Sequence, residues 1–138
     1  MSARFVHSIR PRYAEIDQQG VVFNAHWLTY FDDACTRWFE WIGDGESPGW
    51  SKEFDVMLVK ATVEWSGPAH FDEVVDIAVS VDRVGTSSFD LRYDAAVGDR
   101  PVCTGVITYV SVRPGHREST PIPESLRTRI VSASTGGS

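Results

Sequence analysis

One helix-like segment stands before four strand-like segments, and this order constrains the fold more than any other feature of the sequence. After Asn24, aromatic and aliphatic residues recur every three or four positions as far as Ile42, which is typical of a helix with one buried face. Residues 5–13, before this helix, and residues 54–65, 74–83, 88–96 and 102–112, after it, have strand character. We therefore predict an α+β fold in which the sheet wraps around the helix.

Local signals set the expected limits of these elements. Apolar residues at 75, 77, 79 and 81 alternate with mostly polar ones, which predicts a strand with one buried face. Asn24 is predicted to cap the helix, Gly43 to end it and residues 44–49 to form a loop. Pro11 predicts an edge or a bulge in the first strand. Residues 121–129 are expected to add a short helix, and residues 132–138 a disordered tail behind a single domain of residues 1–131.

Length and charge limit the class of protein. A chain of 138 residues suits one domain, and its formal charge of −6 disfavours binding to nucleic acid or anionic lipid. The sequence contains no apolar run of membrane-spanning length, and its first residues lack the apolar core of a signal peptide. Cys35 and Cys103 are far apart, as expected of small apolar fillers in a reducing compartment. We therefore expect a cytoplasmic protein.

Asp17 is the strongest candidate for chemistry, because it lies in a glycine-containing turn a few residues before the predicted helix. Gly20 can adopt the positive φ that a sharp turn needs. Amide groups at a helix start stabilise an oxyanion, such as the one formed when a thioester carbonyl is attacked. A nearby carboxylate can attack that carbonyl or deprotonate a water, and a positioned base contributes about 10²- to 10⁴-fold. The alternative is that Asp17 only accepts backbone hydrogen bonds within its turn.

Residues 13–34 (YAEIDQQGVVFNAHWLTYFDDA) resemble the signature of the 4-hydroxybenzoyl-CoA thioesterase family of hotdog-fold acyl-CoA thioesterases. The strand order and residues 120–126 extend the resemblance over nearly the whole chain. It implies a five-stranded antiparallel sheet wrapped around one long central helix, in a homodimer with active sites at its interface. Many members pair again into tetramers. The resemblance also implies that Asp17 is the catalytic carboxylate and that backbone amides from Asn24 to Trp27 polarise the thioester carbonyl.

The side chains next to the predicted helix start have two interpretations each. Phe23 and Trp27 either line an acyl or aryl pocket or belong to the core. Asn24 caps the helix, contacts substrate, or does both. His26 acts as an acid or hydrogen-bond donor, or makes a structural hydrogen bond. The predicted oxyanion and substrate-binding residues are Phe23, Asn24, Ala25, His26 and Trp27.

Other reactive side chains receive less weight. Glu15 either tunes Asp17 through charge repulsion or is an exposed glutamate at a strand end. Cys35 lies in mid-helix without a nearby histidine signal, so it is not expected to be a nucleophile. The three histidines besides His26 show no metal-ligand spacing among themselves. We therefore expect no metal, and no cofactor besides the coenzyme A of the substrate.

Coenzyme A carries phosphates, so a chain with a net charge of −6 needs local cations to hold it. Solvated charge at a strand end is the alternative for each cation. The candidates are Lys60, Arg83, Arg92, Arg113, His116 and Arg117, of which the last three form the densest group.

The sequence therefore predicts an acyl-CoA thioesterase, which hydrolyses an acyl- or aryl-CoA to the free acid and coenzyme A with Asp17 as nucleophile or general base. One alternative is a hotdog enoyl-CoA hydratase or dehydratase, for which His26 and Asp17 are the nearest histidine–carboxylate pair. Another is a non-catalytic acyl-CoA binding module. A homodimer, or a tetramer of two dimers, is expected because a one-helix sheet leaves an edge and a face uncovered.

Overall fold

Two helices and a five-stranded antiparallel sheet make up the computed structural model, which describes residues 5–43 and 55–136. In chain order the elements are β1 (Phe5–Ile9), a 3-10 turn (Tyr13–Glu15), α1 (His26–Ile42), β2 (Asp55–Trp65), β3 (Val75–Val84), β4 (Ser88–Val97), β5 (Arg100–Val112) and α2 (Glu124–Gly136). The strand order is β1-β3-β4-β5-β2, so β1 and β2 are the edges. Five strands occur at the five predicted segments, with differences in their bounds, and the α+β class is confirmed.

One face of the sheet, called the inner face, packs against α1 and forms the core. Phe31 of α1 stacks on Tyr93 of β4, with ring centroids 4.9 Å apart. A Cβ on Gly105 of β5 would lie 2.7 Å from the Phe31 ring, so the absence of a side chain there admits the ring. Trp41, whose three- and four-residue spacing within the pattern that ends at Ile42 predicts burial, is 44% exposed and contacts Phe5 instead. The buried inner-face residues of β3, β4 and β5 include Val75, Ile77, Val79, Phe89, Leu91, Tyr93, Cys103, Ile107 and Tyr109.

The start of α1 differs from the prediction. The helix begins at His26 after Ala25, and no side chain caps it, so the prediction that Asn24 is the N-cap is wrong. The physical reason is a tight backbone turn, in which the amide of His26 donates to the carbonyl of Phe23 and the amide of Trp27 donates to that of Asn24. Gly43 follows the last helical residue, as predicted.

The first strand is shorter than predicted. β1 is an edge strand, as Pro11 indicated, but it ends at Ile9. Beyond Pro11, the Arg12 amide donates to the Glu15 carboxylate at 2.8 Å, which turns the chain into the 3-10 segment.

The C-terminal helix is longer than predicted. Leu126 and Ile130 are buried on one face of α2, and the Arg127 guanidinium donates to the carbonyl of Gly85 at 2.6 Å. This anchorage holds a helix that continues to Gly136, through most of the segment whose composition suggested a tail. The predicted loop over 44–49, the start of the second predicted strand and residues 137–138 lie outside the described residues. Neither helix described is long and apolar enough to cross a membrane.

The sheet has two ends that matter for the site. At the first, called the Trp65 end, β2 finishes and β3 and β5 begin. At the other, called the Val112 end, β3 and β5 finish. Val22 donates its amide to the carbonyl of Ala69 just beyond β2, so the start of α1 lies at the Trp65 end.

Candidate active site

The segment between the 3-10 turn and α1 folds back on itself around Asp17. Ile16 pairs with Val22, the Asp17 amide donates to Val21 at 2.9 Å, and the Gly20 amide donates to the Asp17 carbonyl at 3.0 Å. Gly20 has φ +80°, the left-handed conformation that glycine adopts without strain. The chain therefore presents Asp17 on a closed turn, called the Asp17 turn (residues 16–22).

The two oxygens of the Asp17 carboxylate have different surroundings. Oδ1 accepts the Gln19 amide at 2.8 Å and lies 3.5 Å from the Val21 amide. Within residues 5–43 and 55–136, Oδ2 accepts no hydrogen bond. Asp17 is half-buried. It is thus a turn-stabilising residue with one carboxylate oxygen still available, so the structural and catalytic interpretations are compatible.

The amides at the start of α1 are only partly available. Those of His26 and Trp27 are used in the tight turn that precedes the helix, at 3.0 and 3.3 Å from their acceptors. The amides of Asn24 and Ala25 have no acceptor in the part of the chain that the structure describes. These two are therefore the groups left to polarise a carbonyl, together with the positive end of the helix dipole.

Of the aromatic side chains predicted to line the site, one is exposed at the surface and one is buried in the core. Phe23 is 50% exposed and lies edge-on to His26, with ring centroids 6.1 Å apart. Trp27 is 2% exposed and packs against Tyr30, so it belongs to the core of this chain. Among the described contacts no hydrogen bond joins His26 to Asp17. An aromatic surface beside the Asp17 turn is therefore supplied by Phe23.

Glu15 is not the exposed strand-end residue of one sequence interpretation, since its side chain is only 11% exposed. Its Oε1 accepts the Tyr30 hydroxyl at 2.7 Å and the Arg12 amide at 2.8 Å. Desolvation raises the pKa of Glu15, but the hydrogen bonds from Arg12 and Tyr30 and the Arg12 charge outweigh it, so the pKa lies below its ordinary value. The helical spacing of Tyr30 indicates its burial but not this contact of its hydroxyl. The three-residue spacing of Arg12 and Glu15 is a local signal for the contact between those two residues alone.

The predicted coenzyme A cations do not gather around Asp17. Arg83 pairs with Asp90 at 3.1 Å and Arg92 pairs with Asp94 at 3.1 Å, both on the outer face of the sheet. Lys60 lies on the same outer face, where it is paired in register with Thr108. These three cations are therefore on the side of the sheet opposite α1.

Arg113 and Arg117 are exposed and form no ion pair with any described residue. They follow β5, and are therefore at the Val112 end, whereas Asp17 is at the Trp65 end. The part of β5 from Cys103 to Val112 alone spans about 30 Å. Within one chain the two groups cannot meet around one small ligand.

The chain belongs to the thioesterase-like superfamily, whose family model matches residues 11–130. The narrower assignment to the 4-hydroxybenzoyl-CoA thioesterase family stays a prediction.

Several solved structures share the fold. A 1,4-dihydroxy-2-naphthoyl-CoA thioesterase from Synechocystis, Slr0204, is 19% identical with a TM-score of 0.81, over 94% of this chain and 96% of that one. A thioesterase superfamily member from Jannaschia sp. CCS1 is 19% identical with a TM-score of 0.88, over 95% and 93%. SAV2348 from Staphylococcus aureus, in complex with CoA, is 14% identical with a TM-score of 0.88, over 99% and 87%. At these identities the likeness establishes the fold.

Proposed function

We propose that this protein is an acyl-CoA thioesterase with Asp17 as its catalytic carboxylate. The observation that carries the proposal is Oδ2 of Asp17, which accepts no hydrogen bond from any described residue and lies on a closed turn that leads directly to the Asn24 and Ala25 amides, themselves without a described acceptor. Membership of the thioesterase-like superfamily supports it, as does the binding of CoA by the S. aureus structural relative.

The proposed chemistry needs only groups of this chain. The thioester carbonyl oxygen accepts hydrogen bonds from the Asn24 and Ala25 amides, which stabilise the negative charge that develops there. Oδ2 of Asp17 then either attacks the carbonyl carbon, giving a mixed anhydride that a water later hydrolyses to the free acid, or takes a proton from a water that attacks that carbon. In both routes the C–S bond breaks and coenzyme A leaves as a thiolate, which takes up the proton that the water loses. Exposed Phe23 offers an apolar surface for an aryl or medium-length acyl group. The naphthoyl substrate named for the Synechocystis relative agrees with this choice.

The edge strand β2 supports a homodimer. Its outer backbone edge pairs with no strand among the described residues, and Leu58, Val59 and Trp65 are each about half exposed, at 49%, 55% and 51%. A second copy that pairs its own β2 antiparallel with this edge satisfies the backbone groups and covers these side chains. In this dimer the two sheets join and wrap around both copies of α1.

The same pairing accounts for the distant cations. Antiparallel β2 strands point in opposite directions, so the Val112 end of one subunit lies beside the Trp65 end of the other. Arg113 of the partner subunit and Arg117 of the partner subunit then lie on the side from which coenzyme A approaches Asp17. Charge-assisted hydrogen bonds from these guanidinium groups hold its phosphates.

The first test measures thiol release from a panel of aryl-, short-chain and long-chain acyl-CoAs. We expect turnover of at least one class, and a loss of about 10²- to 10⁴-fold in kcat for Asp17→Asn with little change in KM. Asn keeps an oxygen that accepts the Gln19 amide, so the turn is preserved. If the parent protein releases no thiol from any acyl-CoA of the panel but still binds acyl-CoA, it is a binding module. Unchanged kcat in folded Asp17→Asn would remove Asp17 from the mechanism.

A second test uses mixed dimers of Asp17→Asn and Arg113→Ala/Arg117→Ala subunits. If the arginines act across the interface, one of the two sites in a mixed dimer is fully intact, and the dimer recovers about half of the parent activity per dimer. If they act within one chain, both sites remain defective. Failure to recover activity on mixing therefore contradicts the proposed arrangement.

A further inference from the structure

Glu15 connects three parts of the chain around the Asp17 turn. Its Oε1 accepts the Tyr30 hydroxyl, its Oε2 accepts the Arg12 guanidinium at 2.9 to 3.0 Å, and its backbone carbonyl accepts the Phe23 amide at 3.0 Å. Arg12 before the 3-10 turn and Tyr30 of α1 therefore meet at the largely buried Glu15 side chain, and the Glu15 backbone holds Phe23, the residue that closes the loop.

We propose that Glu15 and Tyr30 are positioning residues for Asp17: their hydrogen bond fixes the Asp17 turn against α1. The inference rests on the proposed function, because it assigns these residues to the geometry of that site. Neither side chain contacts the reacting atoms in this scheme. They act by holding the Asp17 carboxylate at a constant position relative to the amides of Asn24 and Ala25.

The two residues of the Glu15–Tyr30 hydrogen bond differ in rigidity. The rigid one, Tyr30, can therefore restrict the movement of the other. Tyr30 is 6% exposed, packs edge-on against Trp27 at 5.3 Å and belongs to a helix, so its hydroxyl is a fixed point. Among the described residues, Asp17 forms hydrogen bonds only within its own turn. Val21 and Val22 tie the far side of this turn to residues 69–70, whereas Glu15, two residues from Asp17, ties the near side to α1. A misplacement of about 1 Å in a reacting group costs about 10²-fold in rate. Loss of the fixed point is therefore expected to lower turnover while substrate contacts made elsewhere persist.

Charge reinforces the contact. The pKa of Glu15 lies below its ordinary value and burial raises that of Tyr30, so near neutral pH the first is an anionic acceptor and the second a neutral donor. Hydrogen bonds of this kind are about twice as strong as those between neutral groups. All four oxygen contacts of Glu15 go to Arg12 and Tyr30, so the side chain has no remaining need for water.

The test compares Tyr30→Phe with Tyr109→Phe. Each variant removes one buried hydroxyl and its hydrogen bond; Tyr109 bonds to Tyr93 at 2.5 Å, toward the Val112 end of the sheet. We expect Tyr30→Phe to lower kcat at least tenfold with KM changed by less than about twofold. Tyr109→Phe should keep the parent kcat even if it lowers the melting temperature as much. Equal kcat in Tyr30→Phe and the parent, or an equal loss in both variants, overturns the proposal.

A second comparison addresses Glu15. Glu15→Gln retains an acceptor for Tyr30, whereas Glu15→Ala removes it, so activity should rank parent, then Gln, then Ala. Glu15→Ala combined with Tyr30→Phe should be no slower than the slower single variant, because both remove the same contact. Multiplied effects in the double variant would show that the two residues act separately.

Amide hydrogen exchange provides a readout that needs no substrate. The Gln19, Val21 and Phe23 amides should exchange faster in Tyr30→Phe than in the parent, and at the parent rate in Tyr109→Phe. Unchanged exchange in Tyr30→Phe overturns the proposal. If the parent hydrolyses no acyl-CoA but this difference is observed, the proposed function fails while the Glu15–Tyr30 contact is shown to order the Asp17 turn.

Discussion

A methyl group added at Gly105 probes the packing that holds α1 on the sheet. In Gly105→Ala the new Cβ lies 2.7 Å from Cε2 and 3.0 Å from Cδ2 of Phe31. That ring is fully buried and stacked on Tyr93, so it has no open space into which it can move. The substitution therefore displaces either the ring or the helix that carries it.

The expected loss of stability is the difference between two effects. Overpacking of this kind costs about 1 to 3 kcal/mol. Replacing Gly by Ala returns about 0.4 to 1 kcal/mol, because the unfolded chain loses conformational freedom. We therefore expect a net destabilisation of about 1 to 2 kcal/mol, or a fall in Tm of about 3 to 5 °C for each kcal/mol.

Gly67→Ala is the matched control. Its new Cβ meets only the Pro101 carbonyl oxygen at 3.5 Å, an ordinary contact, so this variant gains the same entropy without the clash. Urea unfolding followed by tryptophan fluorescence measures both variants, at one fixed protein concentration so that the proposed subunit association contributes equally to each. Free energies of unfolding that agree within about 0.5 kcal/mol would refute the packing argument. A Phe31→Leu change combined with Gly105→Ala should recover part of the loss.

Two further predictions concern titrating groups. Burial raises the pKa of Cys35 to about 11 and that of Cys103 to about 12, so neither thiol should react with a disulfide dye in the folded protein, while both react after unfolding; rapid labelling of the native protein would contradict this. The pKa of Glu15 is lowered by folding, so its stabilisation is present above the ordinary value of 4.5 and is lost as the pH falls through the folded value. Urea unfolding at neutral and acidic pH should show a smaller loss for Glu15→Gln than for the parent, and equal losses would contradict the sign.

The regular elements were predictable because their signals are local. In β3 every second residue is apolar and lies on the buried face. This alternation can be recognised without knowing how the rest of the chain folds. The same holds for α1, apart from its first residues. There the tight turn at Phe23 and Asn24 uses backbone groups alone, so the side-chain preference of Asn24 for cap positions was misleading.

Features that depend on distant contacts could not be read in this way. The terminal helix was underestimated because the residues after Val131 are all small, and most of them are Ser, Thr or Gly, whereas the buried face at Leu126 and Ile130 anchors the helix. The contact between Glu15 and Tyr30 joins residues fifteen positions apart across a loop. Arg113 lies at the Val112 end because β5 runs opposite to β1 in this sheet. Neither composition nor residue spacing indicates the direction of a strand.

The apolar edge of β2 also has a consequence for the newly synthesised protein. Before the second chain of the proposed dimer binds, Leu58, Val59 and Trp65 stand beside backbone groups that pair with no strand among the described residues, and such an edge is a usual starting point for aggregation. Lys60 interrupts this stretch with a charge, and the register shift between Leu58 and Lys60 breaks its regular pleat. Both features discourage the stacking of further strands on this edge while leaving it able to bind the two-fold partner proposed above. The β2 edge thus carries, beside the proposed assembly surface, residues that limit its aggregation.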